Sequence, residues 1–312
     1  MKINAYVLAA SPAWIEASVR SYYDLCDRIV VSYDDRGLGW TGKPVDATQS
    51  LRRLRAIDPQ NKMRFLPGNH SDPAHFQRPM TNQLRQRQAA LDAAGDGADW
   101  VLQIDTDEVV PDAEVFRGCL ERADAAGAAA LNFPALWLYS RIRGRWYLAE
   151  CDRLFRRFKA GYPGPVAVRA GSRLTLCRRT GDRPYHVDVR AGGSRSRVPH
   201  DVDVAELVTL GQALCHLSAV RDERWLKRKY ECSGHAFDRD WDPIVAQWVW
   251  AQRHPFLQSV KSQFERGNYK RHLRPLRVAR TVAGLLADSR VSEPEPAAAG
   301  PPLVPGHAAA TA

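Results

Sequence analysis

Apolar residues along the chain fall into short runs that alternate with stripes of helical spacing. Residues 3–10 form a nearly continuous apolar run, the pattern of a buried first strand. Ser11-Pro12 then opens a helix, with proline at a first-turn position, and Ile15, Val19, Tyr22 and Cys26 recur at helical spacing. Arg28 to Tyr33 reads as a second strand ending in Asp34-Asp35-Arg36-Gly37. A glycine-rich loop over 37–44, a helix near 46–57 and a short strand near Met63–Leu66 follow.

The segment 68–79 is polar, a loop. Met80, Leu84, Gln88 and Leu91 mark a helix that leads to a strand over 100–104. Asp112 is placed to cap another helix, whose inner face carries Val115, Phe116, Cys119, Leu120 and Ala123. Strands are expected near 128–138 and 146–158, and short strands and turns after 160. From about 204 to 290 the pattern reads as helical and carries Trp225, Trp241, Trp248 and Trp250. Residues 292–312 are rich in Pro, Ala and Gly and lack core positions, a composition expected to stay disordered. No internal repeat occurs.

Strand alternating with helix implies an α/β fold, a Rossmann-type, mostly parallel sheet with helices on both faces. The expected organisation is a catalytic domain over 1–235, a helical extension over 236–290 and a disordered tail over 291–312. At 312 residues with 45% hydrophobic content the chain can bury a large core. The net charge of +10 suits phosphate-rich ligands, an anionic membrane or nucleic acid, but arginine is spread along the whole chain, which weakens that inference. Six cysteines without a C-x-x-C pair favour free thiols over a zinc site. No apolar run reaches the length of a membrane span, and no signal segment is evident, so a cytoplasmic protein is expected, with peripheral contact to the inner membrane face kept open.

The densest chemistry lies in Trp100-Val101-Leu102-Gln103-Ile104-Asp105-Thr106-Asp107-Glu108, where a strand runs into three carboxylates within four residues. Carboxylates at a strand exit are held rigidly where ligands of open α/β sheets bind. Their mutual repulsion is relieved by a hard divalent cation, Mn²⁺ or Mg²⁺. The plainer alternative is an acidic loop after a strand.

The order of elements, with Arg87-Gln88-Ala89-Ala90-Leu91 and the text from Ala98 to Glu108, resembles a family 2-type glycosyltransferase of the GT-A fold over roughly residues 3–235. The resemblance implies a metal-dependent, inverting transfer of a sugar from a nucleotide-sugar donor to a saccharide or lipid-linked acceptor, with no nucleic-acid partner. It implies that Ala9, Asp34, Asp35, Arg87 and Asp105 bind the donor, and that Asp105, Asp107 and His216 hold the metal. His216 and the basic run Arg221–Lys229 have plainer readings as a satisfied histidine and a solvated helix face. Asp203 is the candidate catalytic base, with Asp201 and Asp152 behind it, although no clear acidic pair stands there. Two other classes compete. A haloacid dehalogenase-like phosphatase would use Asp105 as nucleophile and Asp107 as acid/base, but its motif normally follows a chain's first strand. A nucleic-acid-binding protein would use basic stretches such as 268–280, without any recognised module.

Overall fold

The computed structural model describes residues 1–143, 145–148, 151–153, 156–158, 160–190, 203–264 and 274–276. Strand β1 (Ile3–Leu8) is followed by α1 (Ile15–Arg20), β2 (Arg28–Asp34), α2 (Thr48–Ala56), β3 (Met63–Gly68), α3 (Pro79–Gly95) and β4 (Trp100–Leu102). Next come β5 (Glu108–Val109), α4 (Ala113–Ala125), β6 (Ala130–Asn132), β7 (Ala135–Ile142), β8 (Arg145–Leu148), β9 (Cys151–Arg153) and β10 (Arg156–Phe158). Short strands β11 (Ala167–Arg169), β12 (Leu174–Leu176), β13 (Arg179–Thr180), β14 (Tyr185–Arg190), β15 (Glu206–Thr209) and β16 (Leu214–His216) precede α5 (Glu223–Cys232), α6 (Asp242–Arg253), α7 (Pro255–Phe264) and β17 (Arg274–Leu276).

Eight strands form the main sheet in the order β15-β14-β6-β11-β4-β1-β2-β3. Every pairing in it is parallel except those of β11, which runs antiparallel to both β4 and β6. The strand periodicity of two sorts side chains to opposite faces. Ile3, Ala5 and Val7 of β1, Ile29 and Val31 of β2, and Trp100 and Leu102 of β4 pack with α1, α2 and α4 on one face. Tyr6, Val30 and Val101 of the same strands pack with Ala90, Leu91 and Ala94 of α3 on the other. The fold is therefore α/β with a mostly parallel sheet covered on both faces.

Helix α1 starts later than Ser11-Pro12 suggests, because Trp14 adopts a left-handed conformation at φ 56°. The Trp14 indole is anchored there by donating to the Val220 carbonyl at 2.8 Å. Asp112 caps α4 through Val115 N–H at 3.0 Å, as the sequence predicts.

The stretch from 204 onward is not uniformly helical. Residues 206–209 and 214–216 are strands, and β16 joins a second, five-stranded sheet in the order β17-β8-β7-β16-β5. Its pairing with β5 sets Cys215 opposite Val109 and His216 opposite Glu108. Three residues carry no strand periodicity of their own; partner strands more than 70 positions away in sequence decide their conformation.

Helix α6 packs Val245, Trp248 and Ala251 against Tyr139 of β7 and Leu226 of α5. The Trp248 indole donates to the Tyr139 carbonyl at 3.0 Å. This part of the C-terminal segment thus covers the second sheet, while Phe256 and Leu257 of α7 are exposed. Among the described residues no helix is long and apolar enough to cross a membrane. The tail expected to be disordered, 291–312, lies outside the described residues, as do residues 201 and 202.

Candidate functional site

A cavity of about 540 Å³ opens where β1 and β4 end, bounded by α3, the β12–β13 turn, β16 and α5. That volume is within the roughly 300–1,000 Å³ common for small-molecule sites, and strand carboxyl ends are where open α/β sheets bind ligands. Its floor holds Arg87, Asp105, Asp107, Arg178, His216, Arg221 and Lys229. Its walls carry Trp40, Trp137, Trp225, Tyr230 and Trp241.

Arg87 projects from the buried face of α3 and donates to Asp105 Oδ1 at 2.6 Å and to the Tyr6 hydroxyl at 3.3 Å. Tyr6 in turn donates to Gln103 Oε1 at 3.0 Å, and the Gln103 amide donates to the carbonyls of Pro165 and Arg178, each at 2.8 Å. The network locks α3, β1, β4 and the β12–β13 turn to one another. Burial alone would raise the Asp105 carboxyl, but Arg87 and Arg178 outweigh it and hold the group below its ordinary value.

Asp107 is buried and turns Oδ2 towards two cations, Lys229 at 2.5 Å and Arg221 at 2.8 Å. Burial opposes ionisation here too, yet Lys229, His216 and Arg221 together hold this carboxyl well below the carboxylate range. Lys229 also donates to the Ser218 hydroxyl. Burial lowers its ammonium from the usual lysine value despite the facing Asp107.

His216 reaches this cluster because β16 lies against β5 and Leu217 N–H donates to the Asp107 carbonyl at 2.7 Å. Its Nε2 is 3.6 Å from Asp107 Oδ1 and its Nδ1 is 3.7 Å from Glu108 Oε1. The ring packs on Trp137 with centroids 4.0 Å apart. Burial lowers its basicity, against the facing carboxylates of Asp107 and Glu108.

The third carboxylate, Glu108, belongs to the fold. It is fully buried, gripped by Arg178 at 2.6 and 2.8 Å, and accepts from the Asp105 backbone N–H at 3.0 Å. Arg178 escapes sequence reading. It sits in a turn 70 residues beyond Glu108, with no motif around it.

The other candidate donor residues are placed differently. Ala9 is buried at the exit of β1 and lines a second hollow of about 60 Å³ together with Ala10, Asp34, Trp40 and Gln86. Asp34 serves the loops: it accepts from the backbone N–H groups of Arg36, Leu38, His70 and Ser71 at 2.9–3.2 Å. Four backbone donors meet the carboxylate's acceptor sites, so in this structure Asp34 shapes the loops around the site. Asp35 is exposed at the same strand end and does not line the main cavity.

Asp203 is exposed ahead of β15, the outermost strand, with β14, β6 and β11 between that strand and β4. It does not reach the cavity. Isolated sequence position could not reveal this, since β15 pairs at the far edge of the sheet.

A divalent ion held by Asp105, Asp107 and His216 does not fit this arrangement. Among the described residues no group of three His, Cys, Asp or Glu side chains is set to hold one. Both oxygens of Asp105 face arginines, at 2.6 and 3.9 Å, and one oxygen of Asp107 already takes two cations.

Ser233-Gly234-His235, which from the sequence could line an acceptor site or be a plain surface histidine, stands at the rim, and its pairing with Asp238 has no motif to announce it. His235 Nδ1 lies 2.6 Å from Asp238 Oδ2, just beyond α5, and both His235 and Cys177 line the cavity.

No family model matches the chain, and no curated protein matches it. Among solved structures it is similar to 4-diphosphocytidyl-2C-methyl-D-erythritol synthase from Anaerococcus prevotii, at 11% identity and TM-score 0.30, over 54% of this chain and 71% of that one. It is similar to mannose-6-phosphate isomerase from Helicobacter pylori at 11% identity and TM-score 0.30, over 55% and 72%. A third, mannose-1-phosphate geranyltransferase from Thermus thermophilus, gives 16% identity and TM-score 0.23, over 55% and 51%. At these scores the likeness carries no argument about activity, which rests on the site itself.

Proposed function

We propose that this chain is a glycosyltransferase that binds a nucleotide-sugar donor in the 540 Å³ cavity and passes the sugar to a saccharide or lipid-linked acceptor. The observation that carries this reading is a floor of buried, mutually braced cations at the carboxyl ends of parallel strands, beneath aromatic walls. Cations answer a diphosphate, and Trp and Tyr faces answer a base or a sugar ring.

In the transfer, an acceptor oxygen bonds to the anomeric carbon as the bond from that carbon to the diphosphate oxygen breaks. The electron pair leaves with the nucleoside diphosphate, and the acceptor proton passes to a base. In this reading Arg221 and Lys229, which line the cavity, meet the charge that grows on the leaving group, the chief electrostatic demand of the step. His235, oriented by Asp238 at the rim, takes the proton in this reading; Asp203 is too remote.

A thermal-shift panel of UDP-, GDP- and dTDP-sugars tests the proposal, because a ligand of the native state raises stability by mass action. At least one donor raises the midpoint, and the same donor is consumed in the presence of an acceptor mixture. A flat response to the whole panel defeats the reading.

A further inference from the structure

Positive charge around Asp107 exceeds what the local carboxylates require. Three acids, Asp105, Asp107 and Glu108, face four cations, Arg87, Arg178, Arg221 and Lys229, through contacts of 2.5–2.8 Å. Arg221 is rigidly set: besides Asp107, it donates to Ser11 Oγ at 2.7 Å and to the Ser218 carbonyl at 3.1 Å. Lys229 approaches the same Asp107 oxygen from α5 and bonds Ser218 as well. Arg228, the residue before Lys229 in that helix, also lines the cavity, with its guanidinium donating to the Pro44 carbonyl at 2.7 Å. A divalent cation on Asp107 Oδ2 would have to displace Lys229 or Arg221 and would add two further charges to a cluster already one positive.

We infer that Lys229 and Arg221, supported by Arg228, form a metal-independent diphosphate cradle, in which the lysine ammonium occupies the place a divalent cation would otherwise take on Asp107. This rests on the nucleotide-donor reading above. Asp107 then acts as the anchor that positions both cations. The ligand class is a nucleoside diphosphate, bound through its bridging and terminal phosphate oxygens. The Lys229 ammonium can turn from Asp107 towards the ligand while Arg221 keeps that carboxylate paired.

Calorimetric titration of the full chain with UDP, GDP and inorganic pyrophosphate, in EDTA and again with Mn²⁺, tests it. At least one of these ligands binds in EDTA, and Mn²⁺ shifts its Kd by less than about threefold. Lys229→Met weakens that binding by about tenfold or more, the loss expected for one charge-assisted contact, whereas Lys229→Arg stays within about threefold. Thermal unfolding verifies that Lys229→Met is folded, since Arg221 still pairs Asp107; if it is not, Arg228→Gln gives a second reading, expected to weaken binding by about threefold or more. Binding that needs Mn²⁺, or that tightens about tenfold with it, overturns the cradle while sparing the donor reading. So does unchanged affinity in folded Lys229→Met. Failure of all three ligands in both conditions overturns the donor reading and the cradle with it.

Discussion

Arg178 grips Glu108 through both guanidinium nitrogens, at 2.6 and 2.8 Å, where Glu108 is wholly buried and Arg178 is 2% exposed. The same arginine donates to the Gln103 carbonyl at 2.9 Å. The pair ties the β12–β13 turn to the end of β4 and so fixes the backbone that aims Asp105 and Asp107 into the cavity.

Breaking this pair from one side strands a charge in a dry interior, which costs about 3–5 kcal/mol. Arg178→Met is therefore expected to lower the unfolding free energy by about that amount, measured by urea denaturation. The double variant Arg178→Met/Glu108→Leu should recover most of the loss, because two apolar groups in place of a buried pair leave no charge unpaired. Additive losses would show that the two residues act independently.

The carboxylate of Asp107 gives the fold a defined response to acid. Its ionisation lies well below that of an unfolded aspartate. A depressed carboxyl contributes stability that is complete above the unfolded value near 3.9 and disappears as pH falls through the folded value. Lys229→Met removes the first of the lowering charges, so the folded value rises and the contribution shrinks. The acid unfolding midpoint, followed by circular dichroism, should move to higher pH in this variant. A midpoint unchanged or lowered would contradict the coupling of Lys229 to Asp107.

Thiol chemistry reports on occupancy of the cavity. Cys177 and Cys232 line it and are partly exposed, whereas Cys26, Cys119 and Cys215 are buried. Burial pushes the Cys215 thiol up to about 12, and burial together with Glu206 pushes Cys119 up to about 12. Burial raises the Cys232 thiol as well, so among these five cysteines access sets the order: a maleimide at neutral pH should modify Cys177 and Cys232 first and reach the buried three only after unfolding. Saturating nucleotide should slow labelling of the first two, read by peptide mass spectrometry. Equal rates with and without ligand would place the ligand elsewhere.

How much of this was legible in the sequence follows from where each element draws its conformation. Strands β1, β2 and β4 carry apolar runs of their own, and Asp112 is a local cap, so pattern reading finds them. Arg87 and Asp105 are 18 residues apart, on a helix and the strand it leads to, and the structure sets them at 2.6 Å. Arg178, by contrast, joins Glu108 across 70 residues of irregular chain, and β16 is a strand only because β5 and β7 flank it. An acid at a strand exit can serve backbone N–H groups or a sugar, and Asp34 accepts from four backbone N–H groups. Long-range pairing and the choice between two uses of one carboxylate have no signature in a single sequence.

The base for acceptor activation separates the sequence-based choice from the structural one. Asp203 stands exposed at the sheet edge, whereas His235 lines the cavity with its Nδ1 held by Asp238 at 2.6 Å. Hydrogen bonds to Cys177 and then Asp238 raise this imidazole above the ordinary histidine value, with burial opposing them. A base acts when unprotonated, so kcat/KM should climb with pH through that raised value. Asp238→Asn removes the carboxylate that favours the imidazolium, and the acid limb should shift to lower pH. His235→Ala should lower kcat by about a hundredfold or more, the usual worth of a general base, while leaving the nucleotide Kd within about twofold. Asp203→Ala should change neither. Full turnover in folded His235→Ala would remove the dyad from the chemistry, and a large loss in Asp203→Ala would restore the edge carboxylate to it.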